Sequence, residues 1–315
     1  LDKPIILITG SGGQIGTVLV QSLREKYGHD RVIATDLKPS TGDPNYEQLD
    51  ITDIGLLREL IKRYKVTQIY HLAALLSSIG EENIHKTWNI NLLTYIDILE
   101  LSRELGIQKI FFPSTIGIYG QSTPKTDTPQ HSSFEPETMY GITKYAGELW
   151  SAYYRKRYGM DIRSLRYPGV ISYQSIPKGG TTDYAVEIFF DAVIKQSYTC
   201  YLSEDTALPM IYMPDVIRAT LALMEAPKDD LSISMSYNVS GFSLTPKILS
   251  NEIKKFIPEF KILYEPDHRQ QIADSWTGSI DDSYARHDWN WNPAYDIISM
   301  SKDMLDNIKI LDAVE

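Results

Sequence analysis

The apolar run PIILIT (4–9) leads straight into TGSGGQIG (9–16), and a helical pattern follows, with Ile15, Leu19, Val20 and Leu23 on one face up to the YG at 27–28. Strand, glycine turn and helix in that order leave few folds open. Gly10, Gly13 and Gly16 stand where a βαβ unit needs a tight turn, close approach of backbone to a pyrophosphate, and close packing of helix on sheet. The amides at the helix N-terminus then face the anion. Asp36 ends the next β-branched run, RVIATD (31–36), 20 residues after Gly16. An acid there accepts hydrogen bonds from the adenosine ribose and repels a 2′-phosphate, which favours NAD over NADP. The plain alternative is a structural glycine turn followed by a surface aspartate; the order of strand, turn, helix and acid argues against it.

The alternation continues. TQIYHL (67–72), KIFFPS (109–114) and DIRSLRY (161–167) read as further strands, with helical patterns near 14–27, 53–64, 83–106 and 138–158. Continuously apolar strands between helices imply an α/β fold: a Rossmann-type, doubly wound parallel sheet covered on both faces. Beyond about residue 170 the pattern loosens. Helices are expected near 184–196, 214–226, 245–257 and 296–309, and short strands near 199–202, 236–239 and 260–264. The expected organisation is an NAD-binding domain over 1–170 that carries the catalytic residues, and a smaller C-terminal α/β lobe over 171–315 that mainly binds substrate. Some of the later chain is expected to return to the Rossmann domain.

Composition narrows the function. A formal net charge of −10, without a basic stripe, argues against nucleic acid or an anionic membrane as partner. No run of eighteen apolar residues offers a membrane span. The lone Cys200 excludes an internal disulfide framework and a cysteine metal cluster; no metal is expected. It fits a reducing compartment, either cytoplasm or mitochondrial matrix, as a small buried residue. Asn238 in NVS matches a glycosylation acceptor, read as chance because nothing else suggests secretion. No targeting segment is visible before the first strand.

Ligands of such sheets bind beyond the carboxyl ends of the strands. Asp50 in LDITD (49–53) can meet adenine there, and HLAALLS (71–77) offers small residues that admit a cofactor or simply pack helix on sheet. His71, inside an apolar strand, reads as a satisfied core histidine. PSTIGIYG places two hydroxyls, Ser114 and Thr115, after the fourth core strand, where either can also cap a turn. In MYGITKY (139–145), Tyr140 and Lys144 are four apart, which puts them on one helix face with roots about 5–6 Å apart. That is a possible acid–base pair and also an ordinary helix pattern.

TGxxGxxG at 9–16, Asp36, the Ser/Thr after the fourth strand and YxxxK at 140–144 together resemble the extended short-chain dehydrogenase/reductase superfamily. The resemblance implies a catalytic set of Thr115, Tyr140 and Lys144, with Ser114 as a neighbouring helper. The tyrosine exchanges a proton with a substrate hydroxyl and the lysine holds the nicotinamide ribose. Two positive charges, Lys144 and an oxidised nicotinamide, are expected to bring the Tyr140 phenol down towards neutrality. Implied NAD contacts are Gly10, Gly13, Gln14, Ile15, Gly16, Asp36, Leu37, Asp50, Ile51, Leu72, Ala73, Ala74, Tyr140, Lys144 and Tyr167.

Sugar-nucleotide members usually carry an asparagine after RY at the end of this strand, where this chain has Pro168 and Gly169. The blocks PSTIG (113–117), LRYPGVIS (165–172), GGTTDYAVEIF (179–189), LPMIYMPD (208–215), YEPDHRQQIADSW (264–276) and SIDDSYAR (279–286) are similar to the short-chain L-threonine dehydrogenases. That resemblance implies oxidation of the L-threonine 3-hydroxyl by NAD to 2-amino-3-oxobutyrate, the first step of threonine degradation. The product would pass to aminoacetone or, through a partner 2-amino-3-oxobutyrate CoA ligase, to glycine and acetyl-CoA. Implied substrate contacts are Ser77, Thr115, Tyr140, Gly180, Thr181, Thr182 and Trp276, with Gly179 giving backbone access. For Thr181, Thr182 and Trp276 a capped helix start at Asp183 and a core tryptophan are the alternative. A homodimer through the helices near 83–106 and 138–158 is implied as well. The competing readings are a sugar-nucleotide epimerase or dehydratase and a non-catalytic NAD-binding regulator.

Overall fold

Ile6, Leu7 and Ile8 are all fully buried, as a strand covered on both faces requires. The computed structural model describes residues 3–312 apart from Thr41 and 175–179. In chain order come β1 (Ile6–Thr9), α1 (Gln14–Tyr27), β2 (Val32–Asp36), β3 (Tyr46–Gln48), α2 (Ile54–Tyr64), β4 (Gln68–His71) and three helices, α3 (Ser77–Glu82), α4 (Ile84–Trp88) and α5 (Thr94–Leu105). Next are β5 (Lys109–Thr115), α6 (Met139–Tyr158), β6 (Ile162–Tyr167), β7 (Gly169–Ile171), α7 (Tyr184–Ile194), β8 (Ser197–Cys200) and β9 (Leu208–Tyr212). The chain continues with α8 (Met213–Glu225), β10 (Tyr237–Asn238), β11 (Phe242–Leu244), α9 (Pro246–Phe256), β12 (Lys261–Tyr264), α10 (Arg269–Ser275), α11 (Ser283–Trp289) and α12 (Ile297–Asp312).

The main sheet has seven strands in the order β10-β6-β5-β4-β1-β2-β3. β1 pairs in parallel with β2 on one side and β4 on the other, Ile6 lying opposite both Val32 and Gln68. The strand order therefore reverses at β1, and the crevice beyond Thr9 is the topological switch point where such sheets take their ligands. The expected doubly wound α/β fold is what the chain adopts.

Two compact units divide the chain, one of Leu1–Thr115, Thr138–Arg166 and Ile217–Tyr237, the other of Ile116–Glu137, Tyr167–Val216 and Asn238–Glu315. In the first, Leu7, Ile69, Ile98, Leu99, Phe112 and Ile162 form one buried cluster between sheet and helices. In the second, β9 lies antiparallel to β11 and parallel to β7, while β8 and β12 form a parallel pair. α7, α9 and α12 pack on one another there. Among the described residues no helix is long and apolar enough to cross a membrane.

The stretch read as one helix over 83–106 is helical from Ile84 to Leu105, widened once along its length. Between α4 and α5 runs a wide π-turn, Asn89–Leu93, and α3 precedes both. The buried Asn91 in that turn accepts the Leu75 N–H at 2.8 Å and donates to the Leu75 carbonyl at 2.9 Å. Widened turns of this kind recur at functional sites. Here the widening lets one side chain clasp the segment after β4.

Candidate active site

The glycine turn is shaped by what surrounds it. Gly10 sits at φ +70°, and a Cβ there would stand 2.6 Å from the Ala73 nitrogen, so the segments after β1 and β4 touch backbone to backbone. A Cβ on Gly16 would collide with the Gly10 carbonyl oxygen. α1 starts after Gly13 with no side-chain cap and no acid in its first turn, an arrangement that suits a phosphate group. Gln14 and Ile15 are its first residues, half-buried. At the end of β2, Asp36 accepts the Gly12 N–H at 2.9 Å and the Lys38 N–H at 3.3 Å. Gly12 is a residue the sequence pattern passed over, and the fourth glycine of the turn was its only signal.

The flanking positions follow. Leu37 is exposed and Ile51 buried. The Asp50 carboxylate accepts from the Thr52 amide and hydroxyl, at 2.9 and 2.8 Å, and the amide bond foremost holds its pKa below the usual range. Leu72 donates its N–H to Thr9, and Ala73 and Ala74 are half-buried beside it. Tyr167 is buried and belongs to the second unit. A glycine cradle that a Cβ would fill, an uncapped helix start and an anchored aspartate fit a dinucleotide.

Thr115 closes β5, and Tyr140 and Lys144 lie in the first turns of α6, whose start Thr138 caps by accepting the Gly141 N–H. Helix and strand approach closely because of Gly147, where a Cβ would stand 2.5 Å from Phe112 Cζ. Tyr140 hydrogen-bonds Thr115. The Lys144 Nζ lies 5.7 Å from the Tyr140 ring centroid and 4.7 Å from that of Phe112. Below them His71 stacks on Tyr95, with centroids 5.6 Å apart, and its Nδ1 pairs with Thr9 Oγ1 at 2.8 Å. Burial foremost, and then the Lys144 charge, push the His71 pKa down to about 3, so it is the neutral, satisfied core histidine its apolar strand suggested.

The expected lowering of Tyr140 is not built into the chain itself. Burial pushes its phenol up to about 12, and the hydrogen bond with Thr115 draws it back only in part. Burial also pushes Lys144 down to about 7. A desolvated lysine against an aromatic ring loses much of its charge near neutrality, so it cannot act on the phenol as a fixed cation.

Ser114 also departs from its expected place as a helper at the reacting oxygen. Its hydroxyl donates to Glu148 Oε1 at 2.5 Å, and Glu148 pairs with Arg166, whose Nη2 lies 2.8 Å from Oε2. All three are buried. Glu148 and Arg166 escaped the sequence reading, as did Asn91, whose amide also donates to Thr143 at 3.3 Å. A charge four residues beyond Lys144 and an arginine inside an apolar strand were the available signals.

Ser77 opens α3 in the first unit, half-buried. In the second unit, Gly180 donates its N–H to Asp183 at 2.6 Å and accepts from the Tyr201 hydroxyl at 3.2 Å, just before α7. Thr181 is buried there, and Thr182 lies against Gly169, where a Cβ would come within 2.8 Å of the Thr182 Cβ. Trp276 follows α10, also buried, and the Lys125 ammonium donates to the carbonyls of Ser275 and Trp276 at 2.6 and 3.0 Å. Gly179 lies outside the described residues.

The model of the NAD dependent epimerase/dehydratase family matches residues 6–240. An uncharacterized epimerase/dehydratase of Staphylococcus haemolyticus is 46% identical over 310 residues, 96% of this chain and 97% of the relative. A solved GalE-like L-threonine dehydrogenase from Cupriavidus necator, in its holo form, is 49% identical with a TM-score of 0.95, covering 97% of this chain and 100% of that one. An L-threonine dehydrogenase from Phytophthora infestans is 44% identical with a TM-score of 0.95, covering 98% and 99%. With its glycine cradle, its anchored Asp36 and its Thr115, Tyr140 and Lys144 set, the chain belongs to the NAD-dependent epimerase/dehydratase family of extended short-chain dehydrogenases/reductases, and its cofactor is NAD.

Proposed function

We propose that this chain is an NAD-dependent L-threonine 3-dehydrogenase, which oxidises the 3-hydroxyl of L-threonine to give 2-amino-3-oxobutyrate. The observation that carries the reading is the hydrogen bond between Thr115 and Tyr140, with Lys144 on the same helix face. Such a set can take a proton from a secondary alcohol while a hydroxyl holds the reacting oxygen. The solved structures named above, alike along nearly the whole chain, support threonine as that alcohol. Bound NAD supplies the hydride acceptor and a positive charge. Tyr140, as a phenolate, takes the hydroxyl proton and returns to the phenol, and Thr115 holds the oxygen. Lys144, poised near pH 7, becomes cationic as the phenolate forms, so each charge favours the other.

Contacts of Ser77, Gly180, Thr181, Thr182 and Trp276 with the amino acid are part of this proposal, supported by the sequence blocks in which they stand. So are a role in threonine catabolism, coupling to a 2-amino-3-oxobutyrate CoA ligase, a reducing compartment, and a homodimer. The dimer is supported by Trp88, Leu93, Ile142, Leu149 and Tyr153, which are exposed on or beside α4, α5 and α6. The test is NADH absorbance on mixing the protein with NAD and L-threonine, with a UDP-sugar in a parallel arm. Threonine-dependent NADH is expected. Sugar turnover without net NADH would overturn the reading in favour of an epimerase.

A further inference from the structure

We infer that Glu148 is a positioning residue for the reacting groups, acting through Ser114 and Arg166; this rests on the reading of Tyr140 as proton carrier. Glu148 lies on α6, four residues past Lys144 and eight past Tyr140, so it shares their face of the helix. One of its oxygens takes the Ser114 hydroxyl at 2.5 Å, and Ser114 is the β5 residue directly before Thr115. The same carboxylate meets Arg166 Nε at 3.0 Å and Nη2 at 2.8 Å, a forked pairing from β6. Glu148 and Arg166 are 0% and 1% exposed. One side chain therefore ties the helix that carries Tyr140 and Lys144 to the strand that carries Thr115 and to the next strand in the sheet.

Stability alone is a poor reason for this pair. Taking both charges out of water costs about as much as their attraction returns, and apolar residues of similar volume commonly serve as well. Apolar packing is already present beside it, where Gly147 lies on Phe112. Packing lets helix and strand slide by fractions of an ångström; a forked ion pair with a third hydrogen bond is directional and fixes both offset and rotation. The Thr115–Tyr140 hydrogen bond needs that precision, since a misplacement of about 1 Å can cost ~100-fold in rate.

The experiment uses two variants of the full chain. Ser114→Ala removes the tie to β5 and leaves the ion pair; Glu148→Met with Arg166→Leu replaces the pair by apolar groups. Three readouts are taken: steady-state kinetics over pH with L-threonine, NAD affinity, and amide hydrogen exchange of the cofactor-free protein. The inference predicts a fall in kcat of at least about tenfold in either variant, with the half-maximal pH of kcat moved upward and NAD affinity held within about twofold. It also predicts faster exchange confined to residues 138–145 and the end of β5. A folded variant with unchanged kcat, pH profile and local exchange would overturn it. If the double variant does not fold, Ser114→Ala decides alone. Wild-type protein inactive on threonine would sink the threonine reading, while the exchange comparison would still decide this one.

Discussion

Lys144 holds its ammonium nitrogen 5.7 Å from the centroid of the Tyr140 ring, and burial drives the proton affinities of the two groups apart, to about 7 and about 12. Neither is set for its task in the cofactor-free chain. The chain supplies proximity and a dry environment, in which any added charge acts strongly.

That poise predicts a pH-dependent stability. A lysine whose pKa falls on folding resists being charged in the native state. Its cost is therefore fully present below pH 7 and fades as pH rises towards 10. At about 1.4 kcal/mol per unit, the buried cation costs on the order of 4–5 kcal/mol. Lys144→Met is expected to melt above wild type at pH 6 without cofactor, with the gap narrowing through pH 9 and closing only near the ordinary lysine value of 10.5. Thermal unfolding across that range is the check, and a gap that stays constant or widens would contradict it.

We propose that cofactor choice hangs on one carboxylate. Because Asp36 is held by the amides of Gly12 and Lys38, it is oriented before any ligand arrives. Asp36→Ser should weaken NAD binding about tenfold or more and narrow the preference over NADP, since the acceptor and the repulsion go together. Titration calorimetry with both dinucleotides reads this directly; an unchanged NAD affinity would remove Asp36 from the site.

Gly147 predicts a stability effect with a kinetic echo. Gly147→Ala drives a methyl against Phe112 at 2.5 Å, and overpacking of this kind costs about 1–3 kcal/mol. Urea unfolding should show that loss. Turnover should fall as well, because the same contact sets the distance from α6 to Thr115. A stable, fully active variant would show that the helix can move freely there.

Much of this was legible because the constraints are local. The strand, turn and helix around Gly10 and Gly16 need only neighbouring residues, and YxxxK places two groups by helix geometry alone. β3 escaped notice because it is a three-residue edge strand. β9 escaped because Pro209 interrupts LPMIY, yet it is the middle strand of its sheet. Asn91 and Glu148 could not be read, since their partners Leu75, Ser114 and Arg166 are brought to them only by tertiary packing. Spacing shows the lysine beside the phenol, and only burial shows that both are desolvated, which raises the phenol in the cofactor-free chain.

The most direct test is the initial rate of NADH formation from NAD and L-threonine, measured for wild type and for Tyr140→Phe with NAD binding followed in parallel. Loss of the phenol proton carrier should lower kcat by about 10²–10⁴-fold while NAD affinity stays within a few-fold. Turnover by Tyr140→Phe at a rate close to wild type would contradict the account at its centre.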